Sequence, residues 1–141
     1  MNKILLICTS ILFLTACADK QNYEQAVLAE MQTEQDLKDY KIDPEHMMKC
    51  VVELSSKKMQ GLFPVDPKRL TAYQNYTKML SMSSTEDKQK KLQELRSLFG
   101  SPKELAKAHS NYTESVMNCL AAIIMESESK AKEEKAEGAE S

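Results

Sequence analysis

Three prolines each directly follow a residue with a short oxygen-bearing side chain: Asp43-Pro44, Asp66-Pro67 and Ser101-Pro102. Such pairs are typical of helix starts, because the side-chain oxygen accepts a hydrogen bond from a free backbone N–H while proline tolerates the first helical position. Ser83 and Glu86 have capping-box spacing and mark another start. The chain contains only three glycines and four prolines, too few turn residues for a β-sandwich or barrel. The sequence therefore predicts an all-α fold.

Apolar side chains recur at helical spacing behind each predicted start. The faces that we expect to be buried are Met47, Cys50, Val51 and Leu54; Leu70, Tyr73, Thr77 and Leu80; Leu92, Leu95, Leu98 and Phe99; and Leu105, His109, Tyr112, Val116, Cys119 and Ile123. Gly61 and Gly100 are suited to end helices. The apolar connector Leu62-Phe63-Pro64-Val65 is expected to press onto the core. We expect a small bundle of about four helices over residues 43–125.

The segments on either side of this domain have weaker signals. Tyr23, Val27, Met31, Leu37 and Tyr40 form a broken stripe, so residues 17–42 are either a helical stalk or a helix that docks on the domain. From residue 126 onward the chain holds only Glu, Ser, Lys, Ala and one Gly. A segment of this composition is expected to be an acidic disordered tail over 126–141, whose first turns extend the last helix.

The N-terminus has the pattern of an export signal. After one lysine, residues 4–14 are nearly all apolar, a run shorter than the ~20 residues that span a bilayer. The following Leu14-Thr15-Ala16-Cys17 resembles the lipobox of bacterial lipoproteins, over the first 17 to 19 residues of the chain. The resemblance implies that residues 1–16 are a signal peptide removed before Cys17, whose sulfur receives a diacylglycerol and whose new amino group is acylated. The alternative is an ordinary secretory signal that contains a cysteine.

The same resemblance bears on location and on the other cysteines. Ala18, where an aspartate would retain enterobacterial lipoproteins at the inner membrane, implies a lipid-anchored protein of the outer membrane facing the periplasm. Cys8 would leave with the signal and Cys17 would carry lipid. Cys50 and Cys119 then remain in an oxidising compartment, and an even number there predicts one disulfide between them. The alternative is two separately buried thiols.

Catalytic and metal chemistry have little support in the sequence. The two histidines, His46 and His109, fall in separate predicted helices, and no nucleophile motif or phosphate-binding glycine loop accompanies them. We therefore predict no catalytic residue, no cofactor and no enzyme. His46 and Cys50 are one helical turn apart and nine methionines are present, which leaves a soft-metal carrier, for example of copper, as the alternative. Met-X-Cys pairs point to different sides of a helix, so no metal site is predicted.

Charge excludes a nucleic-acid partner, because residues 43–125 hold twelve basic against nine acidic side chains and the net charge of the chain is −2.

The remaining function class is binding. The lipobox, the size, the helices and the cysteine pair are similar in outline to the pilotins of type II secretion systems, which bind a helical segment of a secretin subunit. We therefore expect a membrane-anchored, non-catalytic interaction or assembly module, held by the bilayer through Cys17 and binding a protein partner of the cell envelope. A soft-metal or small-ligand carrier is the alternative, and an enzyme comes third.

Overall fold

A computed structural model describes the backbone of residues 2–82 and 86–137, and the side chains of residues 18–82 and 86–132. The described chain is helical throughout, as predicted, with short connecting segments. The helices are α1 (Asn2–Thr33), α2 (Gln35–Asp39), α3 (Pro44–Lys57), α4 (Pro67–Leu80), α5 (Lys88–Leu98) and α6 (Pro102–Glu137). The all-α bundle expected from the spacing of caps and prolines is confirmed.

The predicted capping residues determine where three of these helices begin. The carboxylate of Asp43 accepts hydrogen bonds from the backbone N–H groups of Glu45 and His46, and Asp66 and Ser101 cap α4 and α6 in the same way. Helix α5 differs from the prediction, because it begins at Lys88 with Asp87 as its cap, four residues after the expected Ser83. Ser83 itself lies outside the described residues.

Helix α1 joins the other helices into one bundle. It packs against both α3 and α4, α3 packs in turn against α6, and α5 contacts both α4 and α6. The buried hydrophobic side chains come from all six helices and the α3–α4 loop, and form one core: Tyr23, Val27, Met31, Leu37, Met47, Val51, Val52, Met59, Tyr73, Tyr76, Met79, Leu95, Ala108, Tyr112 and Cys119. One continuous core is what a domain of this size needs to bury enough apolar surface.

The segment before Asp43 is a docked part of the bundle rather than a stalk. Tyr23, Val27, Met31 and Leu37 are all at least 98% buried, so the helical body begins before residue 43, the position at which its start is predicted from the sequence. The physical reason is that Tyr23, Val27 and Met31 fall on the side of α1 that packs against α3 and α4, and Leu37 of α2 joins the same core. Of the predicted stripe, only Tyr40 is exposed, at 59%.

The predicted disulfide is present and links α3 to α6. Cys50 and Cys119 are bonded, with their Cα atoms 5.9 Å apart and a sequence separation of 69. Cross-linking a loop of this length removes conformational entropy from the unfolded chain and stabilises the fold by about 4 kcal/mol in the chain-entropy model. The bond therefore fixes α3 against α6, which also pack against each other.

The connector between α3 and α4 contradicts the prediction that it presses onto the core. Leu62, Phe63 and Val65 are 85%, 64% and 56% exposed, and Pro64 is exposed as well. Helix α3 also ends at Lys57, earlier than the expected stop at Gly61. Gly61 has another role: its φ is +94°, and a Cβ added there would lie 2.6 Å from the backbone nitrogen of Arg69. The close approach of Gly61 to α4 leaves the next four side chains on the outside.

Helix α6 runs to Glu137, beyond the expected start of a disordered tail at residue 126. Glu, Lys and Ala are good helix formers, and Lys130 is paired with Glu126 one turn earlier at 2.7 Å. The sequence predicts that only the first turns after residue 126 extend the last helix. Across the part of the chain that the structure describes, none of the helices combines enough length with enough apolarity to cross a membrane.

Candidate functional site

The main concave feature lies between α4 and α6, where α5 bridges the two helices. On one side of α5 is a cleft of about 620 Å³ that we call the α4–α6 cleft. Its lining comes from the end of α3, from α4, from the end of α5 and from α6, and includes Met59, Ala72, Asn75, Tyr76, Leu98, Phe99, Ala108 and Asn111. Its volume falls within the range of about 300–1,000 Å³ that is typical of ligand sites.

A buried polar network holds the floor of the cleft. The side-chain amide of Asn111 donates to the carbonyl oxygen of Ser55 and to the hydroxyl of Tyr76, both at 2.9 Å. Burial raises the pKa of Tyr76, and the hydrogen bond from Asn111 and the charge of Lys58 partly oppose this shift. The Oδ1 atom of Asn111 is buried without a partner among the described residues. The floor of the cleft therefore holds one unused hydrogen-bond acceptor.

Aromatic packing connects this floor to α1. The ring of Tyr76 makes an edge contact with Tyr23 at 5.8 Å between ring centroids, and a tilted contact with Phe99 at 5.9 Å. Tyr23 also stacks on Tyr73, with centroids 5.7 Å apart. Such geometries are favourable for aromatic pairs. The N-terminal helix therefore positions a side chain of the cleft, although α1 itself does not line it.

Lysines dominate the charged rim of the cleft. Lys58, Lys68 and Lys107 line it, with Glu104 as the single carboxylate of the lining. Lys107 is paired with Glu104 at 2.8 Å, and Lys58 with Glu114 at 2.8 Å. The hydrogen bond from Lys58, together with one from Ser110, lowers the pKa of Glu114. With Glu114 counted beside its partner Lys58, the rim carries one more positive than negative charge and so favours an acidic partner.

A second cleft of about 610 Å³ lies on the other side of α5. It is lined by Met79, Leu92, Leu95 and Leu105 among others, and by Tyr112, whose hydroxyl is buried without a partner among the described residues. Burial raises the pKa of Tyr112, and the nearby charges of Glu30 and Glu34 add to the shift. His109 also lines this cleft, and it is exposed rather than at the edge of the core as expected. Glu30 is the one carboxylate in the lining.

The residues singled out in the sequence are placed as follows. Cys17 lies in the part of α1 whose side chains are outside the described residues, so its lipidation stays a prediction. Both sulfurs of Cys50 and Cys119 are used by the disulfide, which removes the thiolate that a soft-metal site beside His46 would need. Among the described residues, no group of three or more His, Cys, Asp or Glu side chains is placed to hold a metal ion.

Sequence analysis missed two central residues of the cleft floor, Tyr76 and Asn111. On α6 the predicted stripe was shifted relative to the buried face, which runs through Ala108, Tyr112, Ser115 and Cys119. These positions follow the same four-and-three spacing. The spacing was visible in the sequence, but a small residue at one of these four positions, Ala108, and a polar one at another, Ser115, hid the face. Leu105 and Val116 are larger apolar residues at the edge of this face, and they shifted the predicted stripe toward their side of the helix.

Comparison of the chain with protein-family models, with curated proteins and with solved structures finds no match.

Proposed function

We propose that this chain is a lipid-anchored, non-catalytic binding protein of the bacterial cell envelope, and that it holds an amphipathic helix of a partner protein in the α4–α6 cleft. The observation that carries the proposal is the cleft itself, which combines an apolar and aromatic floor with a lysine rim. Helix-in-groove recognition uses this combination: apolar side chains one turn apart fill the groove, and charged side chains pair at its edges.

The chemistry of the cleft defines the partner further. The apolar floor would take large aliphatic or aromatic side chains from one face of the partner's helix. Lys68 and Lys107 would pair with carboxylates that flank this face. Asn111 Oδ1, buried without a partner, would accept a hydrogen bond from a hydroxyl or amide of the partner, because an unpaired buried acceptor is costly to leave.

Anchoring is proposed from Leu14-Thr15-Ala16-Cys17. Tyr23, the first buried residue among the described side chains, comes six positions after Cys17, which in a helix is about 9 Å. A body attached at Cys17 would therefore lie directly on the membrane surface rather than at the end of a stalk. The Cys50–Cys119 disulfide is consistent with the oxidising periplasmic side, where such bonds persist. The outer membrane is the proposed site, since Ala18 follows Cys17.

Site-specific photocrosslinking in cells tests the binding site. A benzoylphenylalanine residue at Thr71, an exposed position on the cleft lining, is compared with one at Gln32, an exposed position on α1 outside it. We expect a discrete adduct with one partner protein from Thr71 and none from Gln32. Charge reversal of the rim by Lys68→Glu and Lys107→Glu should remove the adduct, whereas Lys38→Glu, at an exposed lysine elsewhere, should retain it. An absent adduct at Thr71, or equal adducts at both positions, would contradict the proposed site.

A Cys17→Ala variant carrying the same crosslinker separates anchoring from binding. If the protein works at the membrane, the adduct from Thr71 should fall sharply in this variant. Purified unanchored protein should still crosslink to the isolated partner, because the cleft does not include Cys17. Undiminished crosslinking of Cys17→Ala in cells would show that anchoring plays no part in partner capture.

A further inference from the structure

The α3–α4 loop exposes a run of apolar side chains that the bundle does not use. Leu62, Phe63, Pro64 and Val65 follow one another in the chain, and Leu62 is the most exposed large hydrophobic residue described, at 85%. Single exposed apolar residues are normal on protein surfaces, but a contiguous exposed group marks a contact surface. We call residues 62–65 the apolar loop.

Hydrogen bonds fix the backbone of the apolar loop, so the exposure of its side chains is built into the fold. The carboxylate of Asp66 accepts from the backbone N–H of Leu62 at 3.0 Å, and the N–H of Asp66 donates to the carbonyl oxygen of Phe63 at 3.0 Å. The hydrogen bond from Leu62 is also the main reason why the pKa of Asp66 is lowered. On the other side, the guanidinium of Arg69 donates to the carbonyl oxygens of Ser56 and Gly61.

The apolar loop lies at the end of the bundle where the proposed lipid anchor enters. Leu62, Phe63 and Pro64 line one shallow cavity together with Lys20 and Glu24 of α1. Cys17 precedes Lys20 by three residues, which is less than one helical turn or about 4.5 Å along the helix axis. The backbone of Cys17 and the apolar loop therefore lie near each other at the same end of the bundle.

We propose that the apolar loop enters the headgroup and acyl boundary of the lipid bilayer beside the acylated Cys17, as a second membrane contact. This inference rests on the proposed lipid anchor, which keeps the loop within a few ångströms of the bilayer. At such a high effective concentration a weak apolar contact stays formed. The loop thereby fixes how the bundle is oriented on the membrane, because two points of contact limit rotation more than the lipid on Cys17 alone.

Basic side chains outnumber acidic ones around the loop: its cavity is lined by Lys20, Lys49, Lys57 and Arg69, against Glu24 and Glu53. Lys20 is paired with Glu24 at 3.3 Å, and Lys57 with Glu53 at 2.9 Å. Anionic lipid should therefore strengthen the contact, and salt should weaken this added part while the apolar insertion into zwitterionic bilayers remains. The orientation also has a consequence for the cleft: Gln60 and Pro67, which flank the loop in sequence, line one end of the α4–α6 cleft. A partner helix would be held close to the membrane surface.

A single-tryptophan experiment tests the insertion, because the chain contains no tryptophan. Phe63→Trp places the probe in the apolar loop, and Tyr40→Trp places it at another exposed aromatic position, 59% exposed, beyond α2 and outside the loop's cavity. The full-length gene is expressed in a bacterial host, and each purified product is weighed by intact-mass spectrometry. The acylated proteins are then reconstituted in phosphatidylcholine vesicles that contain dibrominated lipid, with and without phosphatidylglycerol.

The proposal expects a blue-shifted emission maximum and loss of most of the intensity for Phe63→Trp in brominated phosphatidylcholine vesicles, and no less with anionic lipid. The emission of Tyr40→Trp should be unchanged. Acylated protein whose Phe63→Trp emission is not quenched would overturn the loop insertion and leave the anchor intact. Emission that is already blue-shifted without vesicles, and depends on protein concentration, would show that a second copy covers the loop and would also overturn it. An unacylated product would refute the anchor itself, and the inference with it.

Discussion

The hydroxyl of Tyr23 lies 2.8 Å from the Oγ atom of Ser55, in the interior of the bundle and 32 residues away in sequence. Both side chains are completely buried. This contact joins α1 to α3, and the carbonyl oxygen of the same Ser55 accepts from Asn111 on α6. Three helices thus meet at one serine, next to the floor of the α4–α6 cleft.

A double-mutant cycle measures the Tyr23–Ser55 hydrogen bond. Tyr23→Phe should lower the free energy of unfolding by about 1 kcal/mol, and Ser55→Ala by about 1–3 kcal/mol because it leaves a buried phenol without a partner. The double variant should lose less than the sum of the two, since each single change already removes the contact. Urea unfolding measures all three values, and Tyr40→Phe at an exposed position is the control, expected to stay within about 0.5 kcal/mol of wild type. Strict additivity would show that the two hydroxyls do not interact.

Two truncated chains test whether α1 belongs to the folded body. A chain that starts at Ala18 keeps Tyr23, Val27 and Met31, and should retain helical circular dichroism and a cooperative unfolding transition. A chain that starts at Asp43 loses the helix that packs against both α3 and α4, so it should lose most of its cooperative unfolding. Equal stability of the two chains would mean that residues before Asp43 are a stalk after all.

The two glycines with positive φ offer a matched pair of substitutions. Gly100 has φ +85° with no atom within 4 Å of an added Cβ, whereas Gly61 has φ +94° and the backbone of Arg69 in that space. Gly100→Ala should cost about 1–2 kcal/mol for the left-handed conformation alone. Gly61→Ala should cost at least about 1 kcal/mol more, because backbone atoms have to move. Thermal or urea unfolding compares them, and equal losses would argue against a close approach of the loop to α4.

Buried phenols make the bundle sensitive to high pH. Burial raises the pKa of Tyr23, Tyr112 and Tyr76 in the folded state, while in the unfolded chain tyrosine titrates at about 10. Above this pH the folded state binds more protons than the unfolded chain. The free energy of unfolding is therefore at its full value below this pH and decreases as the pH rises further. Urea unfolding between pH 8 and 11 should show the decline, at roughly the pH where free phenols ionise.

The variant Tyr23→Phe removes one of these phenols and should make the decline less steep. Tyr40→Phe, at an exposed position, is the control and should retain the wild-type dependence. A decline that is the same in all three proteins would assign the alkaline sensitivity to other groups.

Helix starts could be predicted from the sequence because capping is local chemistry. Asp43, Asp66 and Ser101 each sit beside a proline and cap a neighbouring N–H group, with no need of tertiary structure. The disulfide could be predicted because only Cys50 and Cys119 remain once an export signal and a lipid are assumed. The helix starts need only the residues of one helical turn, and the disulfide needs only a count of the cysteines.

Burial could be predicted less well, because it depends on which helices become neighbours. Leu62 and Phe63 are apolar and were expected inside, but the approach of Gly61 to Arg69 directs the loop outward. Asn111 and Ser115 are polar and were passed over, yet they lie in the core, where the Asn111 amide donates to Ser55 and the Ser115 hydroxyl donates to the backbone of α6. Neither the capping residues nor the apolar spacing predicts the cleft, since it depends on the distance that α5 maintains between α4 and α6.

Intact-mass spectrometry of the protein purified from bacterial membranes tests the anchoring of this bundle most directly, with Cys17→Ser as the matched variant. The account predicts that the wild-type product lacks residues 1–16 and carries the mass of a diacylglycerol and one further acyl chain, with Cys50 and Cys119 oxidised. The Cys17→Ser product should carry no lipid. A wild-type product that retains its leader, or that begins elsewhere with Cys17 as an unmodified thiol, would contradict the account.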